Sequence, residues 1–138
     1  MVNVAIVGYR YLQFSRTEDL AILIPRDFEG FRGLHFCYQG IIEDNINKSI
    51  SDLVDEMLST KPDVLHYANY RDPYTNKKRD EKYIREVKKK SNLPILLTSG
   101  GGSQAKEFAD SIGIEFLATP FGLREYLDKI YGLANKKA

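Results

Sequence analysis

The chain has 138 residues, 43% hydrophobic and 28% charged, which suits one globular domain over 1–138 that buries about two-thirds of the surface its unfolded form exposes. Twenty basic against nineteen acidic side chains leave a net charge of +1, so no global field selects nucleic acid or membrane, and any such preference must be local. The single cysteine, Cys37, lies in an apolar run, cannot form an internal disulfide or a cysteine-based zinc site, and reads as core packing.

From the start of the chain, MVNVAIVGYR shows no basic region leading into a long apolar stretch. No apolar run approaches the roughly 20 residues that a bilayer requires, so a cytoplasmic protein without membrane contact is expected. The first strand is predicted at 2–8 (VNVAIVG). Ser15-Arg-Thr-Glu18 then has capping-box form and precedes Leu20, Leu23 and Ile24, which predicts a short helix ending at Pro25, although LAILIP also suits an extra strand. A second strand follows at 34–39 (LHFCYQ). Ile46, Ile50, Leu53, Val54, Met57 and Leu58 form a helical stripe that stops at Lys61-Pro62.

A third strand is predicted at 63–69 (DVLHYAN), and the segment 79–90 reads as a well-solvated helix whose narrow apolar face is Tyr83, Ile84 and Val87. A fourth strand falls at 94–98 (PILLT). Ala105, Phe108, Ala109 and Ile112 mark a helix with Ser103 as N-cap and Gly113 as its stop. The fifth strand, 114–119 (IEFLAT), leads into a last helix carrying Leu123, Tyr126, Leu127, Ile130 and Ala134. Five strands in strict alternation with five helices predict an α/β fold, a doubly wound five-stranded parallel sheet of flavodoxin-like order 2-1-3-4-5 with helices on both faces.

In open parallel sheets ligands bind beyond the carboxyl ends of the strands. Those ends supply Gly8, Tyr9 and Arg10, then Asn69, Tyr70 and Arg71, then Ser99, Gly100, Gly101, Gly102 and Ser103, and finally Thr119. Three consecutive glycines let backbone amides approach a ligand, the following helix start offers free N–H groups, and Arg10 and Arg71 add cationic forks. A small anion or nucleotide is the ligand class this set would take; equally, the glycines serve only as a flexible loop. SGGGSQAK has neither P-loop spacing nor its Lys-Ser/Thr pair. His35 and His66 each sit inside a predicted strand without carboxylate or cysteine at ligand spacing, so both read as packing residues, and neither a metal nor another cofactor is expected. No nucleophile triad or paired-carboxylate motif stands out, which speaks against an enzyme.

One stretch is strongly biased. RDPYTNKKRDEKYIREVKKK, 71–90, carries nine basic and four acidic residues with Tyr74 and Tyr83 interleaved. Lys77, Lys78, Arg79, Lys88, Lys89 and Lys90 could neutralise phosphates while the tyrosines stack on bases; the plainer alternative is a solvated helix face.

The stretch LPILLTSGGGSQAKEFADSIGIEFLATPFGLREYLDKIYGL, 93–133, resembles the fourth strand through last helix of a response-regulator receiver domain, and KPDVLHYAN, 61–69, resembles that family's run into its phosphorylated aspartate. The match is good from about residue 44 onward. Carried over position by position, the resemblance implies losses. Gly8 and Tyr9 stand where the family's acidic pair holds Mg²⁺. The phosphoacceptor position falls on Ala68, or on Asn69 if the strand slips by one, and Thr119 replaces the lysine. Ser99 keeps the hydroxyl and Phe116 the switch aromatic. The resemblance therefore implies a pseudo-receiver that is not phosphorylated and works as a signalling or protein-interaction module. Its partner would be a protein or a second copy in a homodimer, bound through the exposed members of the face that holds Lys106, Phe116, Phe121, Tyr126 and Ile130, some of which must pack the core. The glycine loop also invites comparison with cobalamin-binding domains, but GYRYLQ lacks their D-x-H-x-x-G.

Overall fold

The computed structural model describes residues 1–8, 11–13, 21–23, 27–39, 48–68, 77–100, 103–119 and 121–136, excepting the side chains of 11–13, 21–23, 27–29, 77, 78 and 103. Eight strands and four helices appear there: β1 (Val2–Gly8), β2 (Tyr11–Gln13), β3 (Ala21–Leu23), β4 (Asp27–Phe31), β5 (Leu34–Gln39), α1 (Ile50–Ser59), β6 (Val64–Ala68), α2 (Lys77–Lys90), β7 (Ile95–Ser99), α3 (Ser103–Ile112), β8 (Glu115–Ala118) and α4 (Leu123–Lys136).

The main sheet has the order β4-β5-β1-β6-β7-β8, and every pair in it is parallel except β4 with β5. This is an α/β fold. The five predicted strands are present as β5-β1-β6-β7-β8, the neighbour order expected of them, but the sheet has six strands rather than five. The sixth, β4, is an antiparallel edge strand that the sequence pattern did not announce. It joins β5 through Arg32-Gly33, whose φ values of 53° and 80° are those of a type I′ turn.

The helix expected over 15–24 is replaced, where the structure describes it, by strand. Ala21–Leu23 pairs antiparallel with Tyr11–Gln13 in a separate two-stranded sheet, and the capping-box residues Ser15 and Glu18 lie outside the described residues. A run as short and β-branched as AILI fits a strand as well as a helix.

Burial explains why the rest was readable. All of β6 and β7, and residues 4–8 of β1, are buried, because these central strands have helices over both faces and so read as unbroken apolar runs. Alternation splits them between two cores. Ala5, Val7, Leu65, Tyr67, Ile95 and Leu97 face α1, α2 and α3, while Val4, Ile6, Val64 and Leu96 face α4. The helix boundaries have local causes. Ser49 caps α1, its hydroxyl accepting from the Asp52 N–H at 3.0 Å, and Gly113, at φ 72°, ends α3 with the Ile114 N–H donating to the Ala109 carbonyl. The predicted apolar faces hold: Leu53, Val54 and Met57 of α1, and Tyr83, Ile84 and Val87 of α2, are buried.

Among the described residues no helix is long and apolar enough to cross a membrane.

Candidate functional site

Parallel pairing brings the carboxyl ends of the strands side by side. Gly8 is in register with Ala68, and Ser99 with Ala118, so Gly8, Ala68, Ser99 and Thr119 form one edge of the sheet. Gly8 closes β1 at φ 117°, a conformation that favours glycine, and its carbonyl accepts a 2.7 Å hydrogen bond from the Tyr38 hydroxyl. Ser99 and Ala68 are buried.

Thr119 continues the β7–β8 pairing one step beyond β8, its N–H donating to the Ser99 carbonyl at 3.0 Å. Its hydroxyl lies towards Gly100, where an added Cβ would meet it at 3.4 Å, an ordinary contact, so packing alone does not require glycine there. The other residues expected at this edge, Tyr9, Arg10, Asn69, Arg71, Gly101 and Gly102, lie outside the described residues, as does the side chain of Ser103, the first residue of α3.

This edge therefore offers hydroxyls, backbone groups and no ionisable side chain among its described members. Two of the four strand ends, Gly8 and Ala68, have no polar side-chain atom at all. Nor is there, among the described residues, any group of three or more His, Cys, Asp or Glu side chains arranged to hold a metal. Ser99 and Thr119 can accept or donate a hydrogen bond to a ligand, but they cannot balance a divalent ion or form an acyl phosphate.

On the α4 side of the sheet the structure reveals a polar chain that sequence reasoning left unassembled. His66 is 1% exposed, its Nδ1 lies 2.9 Å from the Tyr126 hydroxyl and its Nε2 2.8 Å from the Thr98 hydroxyl. A neutral imidazole carries one N–H and one lone pair, so either hydroxyl can donate while the other accepts, and both ring nitrogens are satisfied. Burial holds the His66 pKa down at about 3, and burial likewise raises that of Tyr126. The signal was present in strand parity: His66 shares a face with Val64, and Thr98 with Leu96. His35, half-buried, has Nδ1 3.3 Å from the Asn3 carboxamide oxygen. Both histidines thus serve packing and hydrogen bonding.

On the opposite side Tyr67 donates a 2.5 Å hydrogen bond to the Asp80 carboxylate, both groups being fully enclosed. Tyr83 donates to the Gln39 side-chain oxygen at 2.6 Å, and the Gln39 amide donates to the Leu53 carbonyl at 2.8 Å, tying β5, α1 and α2 together. Burial, reinforced by the nearby Glu56 charge, raises the Tyr83 pKa.

The expected partner-binding residues divide sharply. Phe121, Tyr126 and Ile130 are 2%, 0% and 0% exposed and belong to the core beneath α4, with Phe121 stacked on Tyr126 at 5.0 Å. They present no surface to a partner. Lys106 is exposed and pairs with Asp110 at 2.9 Å, Phe116 is half-buried, and beside it Glu115 pairs with Lys129 at 3.0 Å. The basic helix is also corrected in detail. Tyr83 is buried and cannot stack on a base, and the Lys90 ammonium is held by Ser51 and by Asp55 at 2.9 Å.

Fold and edge together define an α/β domain with a mostly parallel sheet whose described strand ends carry no charged chemistry. Comparison with protein-family models, with curated proteins and with solved structures finds no match in any of the three.

Proposed function

We propose that the protein is a receiver-like module that acts by binding and not by phosphoryl transfer. The observation that supports this is the chemistry of the sheet edge, where Gly8 and Ala68 lie in register with no side-chain oxygen between them and Thr119 stands beside Ser99. Phosphoryl transfer needs carboxylates for Mg²⁺, an acceptor carboxylate and a cation against the developing charge. In this reading Thr119 extends a strand pairing where a receiver has a lysine.

The partner is a protein or a second copy, engaged through the exposed or half-open groups of α3, β8 and α4: Lys106, Phe116, Glu115 and Lys129. Ion pairs across that face make it polar, the character of a transient rather than an obligate interface. A cytoplasmic setting belongs to the same reading.

Treatment with acetyl phosphate and Mg²⁺ followed by intact-mass measurement tests it. No adduct is expected, and an acid-labile phosphoryl adduct overturns the proposal. Sedimentation velocity over a concentration series, with Lys106→Glu and Phe116→Ala compared, reports whether the partner is a second copy.

A further inference from the structure

The chain is almost neutral, but its charge is not evenly placed. Helix α2 holds eight basic and three acidic side chains, out of twenty and nineteen in the whole chain, so the remainder is net acidic. Burial sorts the helix further. Among its described side chains the exposed ones are Lys82, Arg85, Lys88, Lys89 and Lys90, all cations, whereas Asp80 is enclosed against Tyr67 and Glu81 and Glu86 are half-buried.

Of the five, Lys90 is already engaged, its ammonium bonded to the Ser51 hydroxyl and Asp55. Lys82, Lys88 and Lys89 form no ion pair among the described residues. Arg85 lies with its guanidinium 5.3 Å from the centre of the Phe108 ring of α3, which steadies the side chain and leaves its N–H edges open. At about 100° per residue, Lys82, Arg85, Lys88 and Lys89 fall within about a third of the helix circumference, and along the axis they span about 10 Å. That length matches about three steps along one nucleic-acid strand, which join four successive phosphates.

We propose that this row of α2 is a docking surface for the phosphate backbone of a nucleic acid, read without regard to sequence. An acidic protein is the less suitable occupant. A stable protein interface needs a buried aromatic or apolar centre, and the apolar side chains of α2, Tyr83, Ile84 and Val87, are all buried beneath it, so this row offers none. A polyphosphate requires only spaced cations, and release of its condensed counterions supplies the driving force. With Tyr83 buried, α2 has no ring to stack on a base, so contact stays with the backbone. This surface is independent of the sheet edge, and the inference stands or falls without the reading of the protein as a receiver-like module.

Fluorescence anisotropy with a short labelled duplex of arbitrary sequence, titrated at several salt concentrations, tests it. Four phosphate contacts predict a slope of log affinity against log salt of about −3 to −4, a loss of about a hundredfold between about 50 and 200 mM salt. A second duplex of scrambled sequence should bind equally. The combined variant Lys82→Gln, Lys88→Gln, Lys89→Gln, checked for folding by circular dichroism, should lose at least about tenfold in affinity at low salt, and its slope should fall by about one for each lysine removed. Lys136→Gln, an exposed lysine of α4 on the other side of the sheet, should bind as the parent does. Absence of duplex binding at low salt, unchanged binding by the combined variant, or equally tight binding of labelled poly-glutamate would each overturn the proposal.

Discussion

The Tyr126 hydroxyl, carried inward by α4, stands 2.9 Å from Nδ1 of His66 on a central strand, and both residues are sealed from solvent. The histidine is consequently held neutral, its pKa lowered by burial from 6.5 to about 3. An unfolded chain takes up a proton on this residue below pH 6.5 while the folded chain does not, so the unfolded state binds more protons in that window. His66 therefore contributes stability fully present above about pH 6.5 and lost progressively as pH falls towards 3, at up to about 1.4 kcal/mol per pH unit. Urea midpoints measured from pH 7.5 to 5 should show this decline, and His66→Gln should flatten it. Tyr126→Phe should cost about 1–3 kcal/mol at neutral pH by leaving one ring nitrogen without its partner.

The Arg32-Gly33 turn predicts a second outcome. A Cβ on Gly33 would approach the Tyr131 hydroxyl to 2.6 Å, at a φ of 80° that side chains rarely adopt, while that hydroxyl itself bonds the Arg32 carbonyl. Gly33→Ala should destabilise by about 1–2 kcal/mol from the backbone alone, and by more while Tyr131 is present. Tyr131→Phe removes the hydrogen bond but opens the space. The double variant should accordingly be more stable than the sum of the two single losses by at least about 0.5 kcal/mol, measured by chemical denaturation.

A third outcome concerns Tyr67 and Asp80. The Tyr67 hydroxyl is a short donor to a carboxylate with 1% exposure, and hydrogen bonds to charged groups are worth about 1.5–3 kcal/mol. Tyr67→Phe should lower stability by that amount. By contrast, Lys106→Ala, which breaks an exposed pair with Asp110, should change it by less than about 0.5 kcal/mol, so the face around α3 can be probed without disturbing the fold.

What could be read from the sequence depended on how each segment is buried. VLHYA and ILLTS announced themselves because central parallel strands are apolar on both faces, and α1, α3 and α4 because a 3.6-residue stripe meets a flat sheet. The segment between β1 and β5 resisted the same reasoning. AIL is short enough to serve either period, and β4 is recognisable only through the turn that follows it, where Arg-Gly stands in place of the commoner Asn-Gly. The site was legible as a place but less so as chemistry. Strand ends can be counted along a chain, and the helical stripe of Leu123, Tyr126, Leu127 and Ile130 already marked Tyr126 and Ile130 for the core, against their place on the expected partner face. Conversely, the pairing of His66 with Thr98 and Tyr126 needed two strands and a helix brought together from separations of 32 and 60 residues.

The edge strand β4 has a bearing on how these molecules behave when crowded. Its register against β5 slips between Glu29 and Phe31, with Gly30 at φ 93° as the additional residue, so its outer row of amides and carbonyls is bent rather than straight. A straight row would template a strand from a neighbouring molecule, and an interrupted one does so poorly. Without β4 the parallel strand β5 would itself be the rim of the sheet. Its addition converts an open flank into a blunt one, so that among the described strands of the main sheet the four residues of β8 form the other margin along which the sheet could be extended.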